Sequence, residues 1–519
     1  MYLYMNHFLR GLLLAALMVS FRSGQAQTYF NNRYAVSSTY SAATTMIANG
    51  NGVVVAGAGS RVPGRVEGEL FLAFIDSAGV LQRVRYYKHR TTNDMYSGVL
   101  PSLMRLPDGG MALVSNSNDT IRGLLWRFNA QGDTLWTRVF TSQFALVTRS
   151  GCVLPDGGFL LTGDLSPSLM GGNNTGDAFV IRTDSLGQEL WRRTFDINRS
   201  DGIEFSMPTP DGGYLLTGYT ITRSGGGPTE GDGLVIKLDA NGNTQWQRII
   251  GRPGYTEGAG LAVRTPDGGY LVNCVLGVGP IGFSWSRSRA ALVKFDAAGN
   301  VIWQRGYGPA AIGGGANAFF ELPSGDYLIA GGMMDPAATS LSQGKGFAMK
   351  ICANGDSVWH RTYSILGPTS FHYMRGFALT SDGGFAVAGF LHPRPPDTGT
   401  ADVWVFKADA NGYLQPGGAA PPVACAPVGL PDAPTEAPQS LEIYPNPAPD
   451  GRFTLTNLPP KTTLDVYDAL GRRVWHANAP NTSNSPAETS IGLTRHPPGI
   501  YFLRATTPNG GVLTLRLVK

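Results

Sequence analysis

An aspartate followed by two glycines recurs along this chain. Asp108, Asp156, Asp211 and Asp267 each sit in a Pro-Asp-Gly-Gly run, Asp382 sits in Ser-Asp-Gly-Gly, and Pro323-Ser324-Gly325-Asp326 is a looser copy. Repeated carboxylates could ligate metal ions or act as general acids. The same residues also suit a tight turn, because proline presets φ and glycine accepts positive φ. A companion element, clearest as Asp239-Ala240-Asn241-Gly242-Asn243, poses the same choice. A calcium loop of the EF-hand kind would need an acidic closing ligand, and none follows here. There is no HExxH, GxSxG or Walker run, and the seven histidines are scattered. Cys152, Cys274, Cys352 and Cys425 lack metal-site spacing. Export would permit disulfides, and a Cys352–Cys425 pair is one option, but small buried or free thiols are the favoured reading. The repeated aspartates therefore read as turn formers, with no catalytic residue, metal site or cofactor assigned. Paired carboxylates for glycoside cleavage stay open, since they would meet only in three dimensions.

The elements that position these turns are short strands. Of the 519 residues, 69 are glycine, 42% are hydrophobic and only 15% are charged. Many turns between short apolar runs point to an all-β protein. In "TPDGGYLLTGYT" (209–220) the turn leads into an apolar strand, and the "DANGN" turn leads to a tryptophan four residues after its glycine. That tryptophan recurs as Trp136, Trp191, Trp246, Trp303 and Trp359. One large ring per unit suits packing between neighbouring units. Two hairpins per unit make four strands, the repeat of a β-propeller. Counting "ANGNGVVVAG" at 48 as a degenerate first copy gives seven blades, or six or eight if that unit is misread. The last unit is broken by Pro416, and residues 28–36 are expected to supply its outer strand and close the ring.

Those paired motifs resemble the tryptophan-docking repeat of quinoprotein-like propellers and of exported Bacteroidetes propeller proteins. The resemblance spans about residues 28–415 and implies the fold, not an activity. A quinoprotein would need calcium ligands and, in many members, adjacent cysteines, and this chain has no adjacent pair. Sialidase Asp-box hairpins place tryptophan closer to the aspartate than Trp246 lies to Asp239.

The chain ends differ in kind. Residues 1–26 read as a secretory signal peptide, with Arg10, the apolar stretch 11–19 and small residues Gly24 and Ala26 before the cleavage point. No later segment has transmembrane length. A propeller over 27–415 is followed by a Pro- and Ala-rich linker over 416–440. Residues 441–519 then alternate like a small Ig-like β-sandwich. Tyr444, Pro445, Asn446 and Pro447, then Asp468 with Gly471, then Gly499, Ile500 and Tyr501 resemble the type A C-terminal sorting domain of the type IX secretion system. That resemblance implies the type IX machinery as partner and a secreted or outer-membrane surface location.

Function is expected on the face away from both repeated turns, where loops differ from unit to unit. Tyr255, Glu257, Trp285, Arg287, Arg289, His372, Tyr373, Arg375 and His392 belong to that face. Aromatic and arginine side chains suit a glycan or a protein ligand. The alternative is a polysaccharide hydrolase or lyase acting on the same face. A net charge of +4 without a basic block argues against nucleic acid. Deleting residues 28–36 is expected to lower the melting temperature sharply; an unchanged melt would contradict ring closure by this segment.

Overall fold

The computed structural model describes residues 27–38, 40–50, 52–61, 68–89, 95–97, 102–117, 122–166, 176–221, 231–251, 257–277, 288–307, 314–334, 344–416, 418, 442–444, 448, 450–458, 461–468, 472–478, 487–506 and 512–519. Residues 1–26 and nearly all of 416–440 lie outside them. Among the described residues every regular element is a strand. The chain divides into two compact units, Met1–Ala426 and Pro427–Lys519.

The first unit is built from four-stranded antiparallel sheets like propeller blades. In one of them Ser200–Pro208, Tyr214–Ile221, Gly231–Leu238 and Thr244–Ile250 pair in sequence order. Its first turn forms as the residue types dictate. Gly212 adopts φ +80° and its N–H donates to the Thr209 carbonyl at 2.9 Å. In the second turn Asp239 Oδ1 accepts the N–H groups of Asn241 and Asn243 at 2.9 and 2.8 Å, and Gly242 adopts φ +81°. The same hairpin pairs recur in the sheets over 145–195 and 258–306. Those over 314–363 and 371–408 join at one parallel pairing, Gly344 with Phe371.

The turn aspartate has a second task that its turn chemistry did not disclose. Lys237 Nζ, on the third strand and nearly buried, donates to Asp211 Oδ2 at 2.7 Å. Burial pushes the Asp211 carboxyl up, but Lys237, the Thr209 hydroxyl and the Gly213 N–H outweigh it and bring it down to about 2. Lys294 with Asp267, Arg127 with Asp108, Arg182 with Asp156, Lys350 with Asp326 and Lys407 with Asp382 repeat the arrangement. Each pair ties the inner hairpin of a sheet to its third strand.

Neighbouring sheets meet through the tryptophans. A Cβ at Gly242 would lie 2.9 Å from the Trp191 ring, and one at Gly299 would lie 2.7 Å from the Trp246 ring. The tryptophan of one sheet thus packs against the turn glycine of the next. Arg248 follows, with its guanidinium 5.6 Å from the Trp246 ring centre and its Nε donating to the Gly299 carbonyl at 2.7 Å.

Ring closure follows the same rule. Phe30–Tyr34 pairs antiparallel with Asp402–Ala408, Phe30 opposite Lys407 and Tyr34 opposite Val403. Phe30 takes the tryptophan's place against Gly79, and the Tyr34 hydroxyl donates to the Gly79 carbonyl at 2.6 Å. Phe30, Val55, Phe71, Ala388 and Val405 share one buried cluster, so the sheet over 371–408 packs on the sheet over 40–87. Cys352 is disulfide-bonded, Cys152 and Cys274 are free thiols, and Cys425 lies outside the described residues.

The second unit is two antiparallel sheets over one core. Glu442–Tyr444, Arg452–Leu458 and Ala487–Gly492 form one, and Arg473–Asn478, Thr463–Tyr467, Ile500–Thr506 and Val512–Val518 form the other. Phe453, Leu455, Leu464, Val466, Ile491 and Leu503 are buried together between them.

Gly299→Ala should cost about 1–3 kcal/mol, since it combines strained positive φ with a clash on Trp246, as read by urea unfolding. The low Asp211 pKa gives an acid test. Its stabilising effect is complete above the unfolded carboxylate pKa of about 4 and is lost as pH falls toward about 2. The stability gap between the wild type and Asp211→Asn should therefore narrow across that window, whereas a constant gap would rule out the ion pair as its source.

Candidate functional site

The first strand of each sheet is the innermost, and these strands contact one another from sheet to sheet. Nearly all of them carry a β-bulge at the same place. The register shifts at Thr44, Arg149, Glu204, Asn317 or Arg375, and in the sheet over 258–306 the irregularity spans Gly260 and Leu261. From Arg149 onward the position falls six residues before the proline, or serine, of the following turn. Each bulge residue is half-buried between buried neighbours or beside one. A bulge turns its extra side chain out of the ladder, and here the bulges lie on the inner strands that gather against one another.

Glycine on the second strand makes the bulge fit. A Cβ at Gly163, or at Gly218, would run into the backbone carbonyl of Val147, or of Gly202. Gly57, Gly331 and Gly389 stand opposite the other single-residue bulges in the same way. Cys274 occupies this place in the sheet with the longer irregularity. Ser115 occupies it in the sheet whose inner strand is recorded as two pieces, Met95–Ser97 and Leu103–Arg105. The final glycine of "TPDGGYLLTG" is thus a packing requirement of the axial ring.

Side chains from the preceding sheet satisfy the backbone groups that the bulges free. Asn116 Nδ2 donates to the Thr148 carbonyl at 2.7 Å, Asn273 Nδ2 to the Ala316 carbonyl at 3.1 Å and Asn317 Nδ2 to the Met374 carbonyl at 2.8 Å. The ring residues are held by a fixed backbone.

Two arginines on the ring differ in their surroundings. Arg149 donates through Nε to Asp164, lies 3.1 Å from Glu204 and reaches the Tyr219 hydroxyl at 3.3 Å. Burial opposes its charge, yet Glu204 and Asp164 more than offset that and keep the guanidinium charged. Arg375 lies 4.6 Å from the Tyr373 ring centre, and its buried Nε has no hydrogen-bond partner among the described residues. Among the described residues no carboxylate pairs with it.

Tyr373 belongs to an aromatic group at the turn-distal end of its sheet. Its ring stacks 5.8 Å from Phe371 and 5.5 Å from Phe390, which meets His392 edge-on at 5.8 Å. Tyr40, 41% exposed, approaches His392 at 6.0 Å from the adjoining sheet. Burial raises the Tyr40 hydroxyl, against the opposing pull of Arg375. Burial and then Arg394 lower the His392 imidazole. The loops here are braced. Asp397 Oδ2 accepts the Gly367 N–H and the Ser370 hydroxyl at 2.8 and 2.7 Å.

The residues expected at a ligand site separate into three sets. Tyr255, Trp285 and Arg287 lie outside the described residues. His372 is buried, its Nε2 facing the N–H groups of Ile365 and Leu366 at 3.3 and 3.2 Å and its Nδ1 3.2 Å from the Gly344 carbonyl, and so acts as a loop clasp. Glu257 is also buried, its N–H donating to the Gly231 carbonyl at 2.6 Å, and Arg289 is half-buried against Gly306. Tyr373, Arg375 and His392 come together. Phe371, Phe390 and Tyr40 complete the group and were not singled out in the sequence. Their signal was the strand period, which puts Phe371 with Tyr373 and Phe390 with His392. No group of three or more His, Cys, Asp or Glu among the described residues could hold a metal ion.

In the second unit the sorting motif is partly structural. Gly499 and Lys519 exchange two backbone hydrogen bonds of 3.0 Å, Ile500 pairs with Val518, and buried Tyr501 donates to the Pro497 carbonyl at 2.6 Å. Asp468 Oδ1 accepts the Arg472 N–H at 2.9 Å. Tyr444 ends its strand, while Pro445, Asn446, Pro447 and Gly471 lie outside the described residues.

No curated protein matches the chain in sequence. Among solved structures it is similar to PorZ, an essential surface component of the type-IX secretion system of Porphyromonas gingivalis, at 12% identity and TM-score 0.29, covering 93% of this chain and 70% of that one. A protein of unknown function from Dyadobacter fermentans gives 11% identity and TM-score 0.41, covering 72% and 95%. Pseudomonas brassicacearum lignostilbene dioxygenase gives 11% and 0.41, covering 70% and 86%. Likenesses this distant carry no argument about activity. Residues 442–519 match the family model of the secretion system C-terminal sorting domain, which marks the chain for type IX export to the cell surface or the extracellular space.

Proposed function

We propose that this chain is a binding protein of the cell surface or its surroundings, built as a seven-bladed propeller with an Ig-like secretion tail. Residues 1–26 are its signal peptide, and the type IX machinery of a Bacteroidetes cell is its export partner. Its ligand, a glycan or a protein, meets the face opposite the Pro-Asp-Gly-Gly turns. The observation that carries this reading is the group of Tyr373, Arg375, Phe390, His392 and Tyr40, partly open to solvent and fixed on braced strands. Rigid aromatic rings beside an arginine offer contact area at little cost in conformational entropy.

A hydrolase or lyase would need acid and base groups free to move protons. Glu204 on the axial ring and Asp164 on the second strand beside Arg149 are both engaged by Arg149, which favours binding over turnover. The test is a polysaccharide and protein screen of the full chain that reads retention and new chain ends together. Retention without cleavage, weakened at least tenfold by Tyr373→Ala, is expected. Cleavage abolished by Glu204→Gln would replace this reading with the enzymatic one.

A further inference from the structure

We infer that Arg375 selects a carboxylate, and that the ligand is an acidic saccharide carrying uronic acid residues. This rests on the binding reading above and names its ligand class. Arg149 and Arg375 occupy equivalent bulge positions on the axial ring. Arg149 is neutralised by Asp164 and Glu204. Arg375 has no carboxylate beside it among the described residues, and its Nε is buried without an acceptor. A buried donor left without an acceptor is unfavourable. That cost is recovered when a ligand brings the missing acceptor.

The guanidinium matches a carboxylate in shape, since its planar fork donates two parallel hydrogen bonds. It is also already aimed. The bulge turns Arg375 out of the ladder, Gly389 admits the bulge, Asn317 holds the Met374 carbonyl just before it, and Tyr373 supports the guanidinium from one side. Little side-chain freedom remains to be lost on binding.

The neighbouring groups fit a pyranose. A sugar ring has an apolar C–H face and a rim of hydroxyls. Phe371, Tyr373 and Phe390 supply flat apolar surface, and the Tyr40 hydroxyl and the His392 imidazole border it with polar groups. A uronic acid adds the one feature a neutral sugar lacks, the carboxylate for Arg375.

The test is calorimetric titration of the full chain with fragments of polygalacturonate, alginate, chondroitin and hyaluronan, each beside its carboxyl-reduced neutral form. At least one acid should bind ten times or more tighter than its reduced form. Arg375→Gln should remove that preference, Arg375→Lys should keep part of it, and both should melt no lower than the wild type. Equal binding of acid and reduced forms, or a preference that survives Arg375→Gln, would overturn the carboxylate assignment and leave the binding reading standing. Binding of protein ligands alone would overturn the saccharide class. No binding of any glycan or protein would overturn both readings.

Discussion

A tryptophan lying on a glycine sets the spacing of this molecule. Each sheet must accept a neighbour on both faces, and the outer contact repeats from sheet to sheet, with Tyr87 and Phe74 standing in for the tryptophan at Gly132. The ring of one sheet covers the turn glycine of the next, so a Cβ at Gly242 or Gly299 would stand inside normal contact distance of Trp191 or Trp246. The glycine is needed twice over, for positive φ and for the missing side chain. Phe30 on Gly79 applies the same contact at the seam, so the N-terminal strand is placed by packing as well as by its ladder bonds to Asp402–Ala408.

A second glycine performs the matching task near the axis. Gly163, Gly218 and their counterparts let the inner strand bulge toward them, and the bulge sends one side chain per strand toward the centre. Outer glycines fix the distance between sheets; inner glycines fix what the ring presents at the axis. The side chain delivered there varies from sheet to sheet. Arginine, glutamate, asparagine and threonine all occur at this position. The scaffold repeats while the axial chemistry does not, and chemistry that differs around a ring can recognise something.

Much of the fold was legible in the sequence because the repeats are local. Turn type, strand order and the tryptophan contact each follow from a few adjacent residues, and even the seam could be anticipated from Pro416 and Phe30. The site was less legible, because its members meet across sheets. Tyr40 and His392 are far apart in sequence and 6.0 Å apart in space. His372 looked like a surface histidine, yet it clasps a loop from a buried position. The cations paired with the turn aspartates were present as a recurring Lys or Arg two residues before the second turn's first residue, and only the third dimension linked them to those aspartates. The bulge ring also had a signal, a fixed offset before each turn, but strand alternation alone does not reveal an inserted residue.

The central claim is that the repeated turns are scaffold and that ligands meet the opposite end of the inner strands. Hydroxyl-radical footprinting of the full chain, with and without an acidic polysaccharide that it retains, tests this most directly. Protection of Tyr40, Phe371, Tyr373, Phe390 and His392, with Pro210, Tyr214 and Pro266 unchanged, is the expected result. Protection centred on the Pro-Asp-Gly-Gly turns, with the aromatic group unaffected, would contradict it.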